Sequence, residues 1–146
     1  MNVSRKDLYL YVVDMLYDIT KNVYPKEIPT TLSSDATNNG FIVIRMQQMK
    51  DFSEFDIDTY VQVRVSVECY VPNINTSDTQ GRLSTKKFDD MQKAVDAKIK
   101  AECEKVNQTY SISRDGILSD DDTYTNKACS FSVYITSFLV TITNEV

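Results

Sequence analysis

Residues 58–71 read DTYVQVRVSVECYV, and their alternation decides the fold. Val61, Val63, Val65, Val67, Cys69 and Val71 share one parity, while Tyr60, Gln62, Arg64, Ser66, Glu68 and Tyr70 share the other. Side chains on a strand point to opposite faces in turn, so the pattern predicts a long strand with one apolar and one polar face. The apolar face belongs to a core. The polar face suits water or a neighbouring subunit.

Working outward, GFIVIRMQQMK (40–50) is a continuous apolar run with a polar end, which predicts a strand buried on both faces at its start. A turn over Asp51–Asp58 would join it antiparallel to the first strand, as sequential strands tend to pair. The segment YSISRDGILSDDDTY (110–124) predicts a short strand, an Asp115-Gly116 turn and an acidic loop. The last strand, SFSVYITSFLVTIT (130–143), changes parity: Phe131, Val133 and Ile135 fall on one side, Phe138, Val140 and Ile142 on the other. Either a bulge near Thr136-Ser137 resets the face or both faces are buried.

Two helices complete the set. The first has Ser4 as a cap, with Asp7 at the capping-box position and Val3 and Leu8 as a staple. Its stripe of Leu8, Val12, Met15, Leu16, Ile19 and Val23 would run until Pro25 stops it. The second is capped at Ser84, stapled by Leu83 and Phe88, and buries Phe88, Met91, Val95, Ile99, Glu102/Cys103 and Val106. Asp89/Lys93 and Asp96/Lys100 would pair on its wet side. The stretches 25–40 and 73–83 are polar and read as loops. The expected fold is α+β, residues 1–146 forming a single domain, with a mostly antiparallel sheet packed by two helices in the order α-β-β-α-β-β.

Composition narrows the function. With 146 residues, 42% hydrophobic and 25% charged, the chain is ordinary for a soluble globular domain. Its net charge of −5 argues against wrapping a nucleic-acid backbone. The N-terminal stretch has acidic residues within its apolar run and reads as neither signal peptide nor membrane anchor. Cys69, Cys103 and Cys129 have no metal-type spacing and read as reduced structural thiols in a cytosolic setting.

The absence of histidine removes the commonest general base and metal ligand. Three glycines leave no phosphate-cradling loop. The run Asp120-Asp121-Asp122 lacks the alternating spacing of a calcium loop and reads as solvated, or as a contact for a basic partner. Glu68 is the acid best placed on the strand face, but an exposed ion pair with Arg64 accounts for it. Tyr60, Tyr70 and Tyr134 lie on strands without the signature of an RNA-stacking sheet, so packing is their expected role. No catalytic, cofactor-binding or metal site is expected.

The chain also resembles the tail terminator (tail completion) family of tailed bacteriophages. The resemblance is carried by Val23-Tyr24-Pro25 after the first helix, by Phe41-Ile42-Val43-Ile44, and by VQVRVSVECYV leading through a polar loop into helix Phe88–Val106. DDDTYTN then feeds SFSVYI, with Tyr124 just before the last strand. It implies a structural virion protein, without catalytic residues, that assembles as a hexamer or larger ring at the head–tail junction. Such a protein is made in the bacterial host cytoplasm. Its partners would be copies of itself, other neck, connector or tail proteins, and DNA passing through the lumen without sequence-specific binding, with no membrane. Another neck connector ring fits the same pattern. The remaining alternatives are a small α+β adaptor or binding module without a ring and, more distantly, a carboxylate- or metal-dependent enzyme. The residues expected at subunit or partner contacts are Tyr60, Gln62, Arg64, Glu68, Arg82, Asp120, Asp121, Asp122 and Tyr124. Arg64→Glu is expected to disturb assembly more than folding.

Overall fold

A computed structural model describes residues 5–51, 59–73, 82–105, 109–125 and 130–144. Their elements run α1 (Arg5–Leu16), β1 (Val23–Pro25), α2 (Ser34–Asn39), β2 (Phe41–Asp51), β3 (Thr59–Pro72), α3 (Arg82–Glu104), β4 (Tyr110–Thr125) and β5 (Ser130–Asn144). The strands form a five-stranded sheet in the order β1-β2-β3-β5-β4, antiparallel except for the β1–β2 pair. The fold is α+β. The expected order of its main elements holds, with β1 and α2 inserted before β2.

The 58–71 stretch becomes the central strand, β3. Val63, Val65, Val67 and Cys69 are buried beneath α1 and α3, against Leu8, Val12, Val95 and Ile99. The neighbouring strands add Ile42, Ile44, Tyr134, Phe138, Val140 and Ile142 to this core. Cys69 is fully enclosed, and burial pushes its thiol pKa well up, as expected of a small core residue.

A second core lies on the opposite face and covers only one end of the sheet. Phe41, Val43, Tyr70, Phe131 and Val133 are buried there under Ala36 of α2, with Tyr24, Ile28, Leu32 and Tyr124 around them. Phe41 stacks on Tyr70 at 4.6 Å and meets Phe131 edge-on at 5.3 Å. This resolves the parity change in β5. Its pairing with β3 runs unbroken from Thr59↔Asn144 to Pro72↔Phe131, so no bulge intervenes. Both faces are buried, by different covers.

Several sequence expectations are corrected. The first helix ends at Leu16 rather than running to Val23, and Val23–Pro25 joins the sheet parallel to β2. The 25–40 stretch is not a plain loop: it contains α2, whose N-cap Ser33 accepts the Ala36 N–H at 3.1 Å. α2 closes at Gly40, with φ of 97°, where an added Cβ would lie 2.6 Å from the Tyr70 carbonyl oxygen. The second helix begins at Arg82, ahead of the expected cap at Ser84. Asp96 turns to Arg114 at 3.0 Å and to the Tyr134 hydroxyl at 2.7 Å rather than to Lys100. Burial, then the Asp96 bond, push the Tyr134 phenol up to about 12.

Residues 110–125 form one long strand, and the Asp115-Gly116 turn is instead a register shift within it, with Gly116 at φ 146°. The supposed acidic loop is therefore the middle of β4. The expected Ser4 cap, most of the 51–58 turn and the 73–83 loop, Val106 and Cys129 lie outside the described residues. No helix among the described residues is long and apolar enough to cross a membrane.

Candidate functional site

The residues expected at contacts fall into separate places. Gln62 and Arg64 lie half-buried on the face of β3 away from the helices, toward the end that the second core leaves open. Arg64 is not free to serve a neighbour alone, because its Nε donates to Asp115 at 2.7 Å. Ser137 of β5 donates to the same carboxylate at 3.0 Å. A polar cross-tie thus spans β3, β5 and β4.

Glu68 corrects the expectation of an exposed pair with Arg64. It is 7% exposed, accepts the Nε–H of Arg45 on β2 at 2.6 Å, and accepts the Tyr70 hydroxyl at 2.7 Å. Burial, then the hydrogen bond to Glu68, push the Tyr70 phenol pKa well up. Among the described residues no buried side-chain polar atom lacks a partner. Glu68 and Tyr70 are structural parts of the second core. Tyr124 joins them, its ring edge-on to Tyr70 at 5.7 Å.

Asp120 and Asp122 are exposed on β4. Asp120 accepts from Gln92 of α3 at 3.0 Å, and Asp122 accepts the N–H of Thr123 at 3.0 Å. The side chains of Tyr60, Arg82 and Asp121 lie outside the described residues, although all three backbones sit in regular elements.

What the sequence reading missed is the character of the two sheet edges. β4 ends one side of the sheet along its whole length. It carries Ile117 and Leu118, 51% and 56% exposed, immediately before the acidic run. The opposite edge is β2. β1 covers it only from Ile42 to Ile44, after which Lys26 donates its N–H to the Ile44 carbonyl at 2.8 Å and the chain departs. Lys26 has φ of 70°, the left-handed region that a residue with a Cβ rarely adopts. Its carbonyl is held by the Arg45 guanidinium. Beyond Ile44, β2 has only β3 as a strand neighbour among the described residues.

At this departure point a cleft of about 260 Å³ opens between the start of α1 and the sheet. Tyr9, Pro25, Ile44 and Met46 supply its apolar lining, and Arg5, Lys6 and Lys26 supply its charge. All three cations are exposed, and none forms an ion pair with a described residue. A signal for the local turn did exist in the sequence: Ser33 and Gly40 are the capping residues of a short helix that must follow a reversal. Nothing in the three residues of β1 announced their pairing.

No protein-family model matches the chain, and no curated protein sequence matches it.

Proposed function

We propose that the chain is a structural, non-enzymatic ring subunit of a tailed bacteriophage, built into the head–tail junction as a tail terminator or neck connector. The observation that carries the reading is the pair of unlike sheet edges. Following the antiparallel order β2-β3-β5-β4, β2 and β4 run in opposite directions. The β4 edge of one subunit can therefore extend the β2 edge of the next in the antiparallel sense. A contact between two different surfaces of identical subunits is head-to-tail, and it closes into a ring when the rotation fits.

The net charge of −5 supports the same reading. DNA must slide through such a ring without being held, and an acidic wall repels phosphate rather than condensing it. The resemblance of Val23-Tyr24-Pro25, VQVRVSVECYV and DDDTYTN to tail terminators supports the virion setting. Electron micrographs of the purified chain test the reading. Annular particles with a central opening are the expected result, and a field of monomer-sized particles at every concentration, with or without neck proteins, overturns it.

A further inference from the structure

We propose that the cleft where β1 leaves the sheet receives the β4 edge of a second copy of this chain. Ile117 and Leu118 supply the apolar contact, and Asp120 and Asp122 meet the basic rim. The proposal rests on the ring reading and names the contact that closes it.

The receiving side is built around a strained turn. Lys26 holds its left-handed conformation through two backbone anchors, its N–H on the Ile44 carbonyl and its carbonyl on Arg45. Strain of this kind persists where surrounding structure insists on it, and it often marks functional positions. Here it removes the chain from the β2 edge just after Pro25. The result is an uncovered strand edge beside an apolar cleft, rimmed by Arg5, Lys6 and Lys26. Three cations around one cleft that pair with no described acid are conspicuous in an acidic chain.

The donating side matches in chemistry and order. Ile117 and Leu118 are consecutive exposed apolar residues on an edge strand, where a natural sheet usually places charge to prevent pairing. The register of β4 against β5 shifts three times around them, between Arg114 and Gly116, at Leu118 between Ile117 and Ser119, and between Ser119 and Asp122. Asp120 and Asp122 follow, exposed. The antiparallel direction of β4 and β2 allows the two edges to hydrogen-bond as they meet.

The test uses the whole chain, as an equal mixture of unlabelled and nitrogen-15-labelled protein treated with a carbodiimide that joins amines to carboxylates. Mixed-isotope links from Lys6 or Lys26 to Asp120 or Asp122 are expected in the assembled fraction. Charge reversal supplies the second arm. Lys6→Glu with Lys26→Glu, or Asp120→Lys with Asp122→Lys, should weaken self-association about tenfold or more, and combining all four should restore it. An assembled parent chain without those links, whose assembly also ignores the reversals, overturns the contact and leaves the ring reading standing. A parent chain that never assembles overturns both.

Discussion

Glu68 takes its arginine from the neighbouring strand: Arg45 Nε lies 2.6 Å from its carboxylate, while Arg64, four residues away on its own strand, is bound to Asp115. The polar face of β3 is thus two networks. In one, Glu68 and Tyr70 are buried beneath residues 24–36 while Arg45 reaches solvent, and the other is left open toward solvent.

Removing Arg45 leaves the Glu68 carboxylate, whose side chain is 10% exposed, with the Tyr70 hydroxyl and no counter-charge. Arg45→Ala should cost about 1–3 kcal/mol in denaturant unfolding, the range for stripping a partner from a buried polar group. Arg45→Met combined with Glu68→Leu and Tyr70→Phe should recover most of the loss, because neither a charge nor a hydroxyl is left unpaired.

Phe41 is completely buried and in ring contact with Tyr70, Tyr24 and Phe131. Phe41→Ala should destabilise the chain by about 3–5 kcal/mol, as for other large-to-small core changes. A loss below 1 kcal/mol would mean that the second core contributes little.

Two of the positive-φ positions, Gly40 and Lys26, should respond in opposite directions. Gly40→Ala forces a Cβ toward the Tyr70 carbonyl oxygen at φ 97° and should cost more than about 1 kcal/mol. Lys26→Gly relieves the strain at φ 70° and should leave the melting temperature level or raised.

Acid sensitivity should pass through Glu102. Partial burial works to raise its carboxyl pKa, but the hydrogen bonds from Lys105 and Tyr11 outweigh it and hold the group below its ordinary value of 4.5. A carboxylate lowered in the folded state adds stability above the unfolded pKa, and that stability is lost as pH falls through the folded one. The melting temperature of Glu102→Gln should lie below that of the parent at pH 7 and converge with it on acidification. Parallel curves down to low pH would rule out this contribution.

Arg64→Glu should affect folding as well as assembly. It sets a carboxylate against Asp115, whose side chain is only 22% exposed. Thermal melts should show a clear loss, and adding Asp115→Arg should restore much of it.

Much of this was legible in the residues. Strict alternation placed Val63 to Cys69 in the main core, and helical spacing placed Leu8, Val12, Val95 and Ile99 over them. Alternation states which face a side chain occupies, not what covers that face. Glu68 therefore looked exposed until residues 24–36 folded across that face. The β5 parity change announced two buried faces but could not choose between that and a bulge. β1 was hidden for a different reason: three residues in a parallel pair carry no period of their own, and only the tertiary partner makes them a strand. The Asp120–Asp122 run looked like a loop because acids are poor strand formers, yet it lies within β4, with Ser119 and Asp122 paired to β5 on either side of a register shift.

Light scattering on the purified full chain across a wide concentration range tests the ring most directly. The account predicts a mass several times the 16.7 kDa subunit that holds steady on dilution, as a closed ring requires. A mass of one subunit at every concentration, unchanged when neck proteins are added, would contradict it.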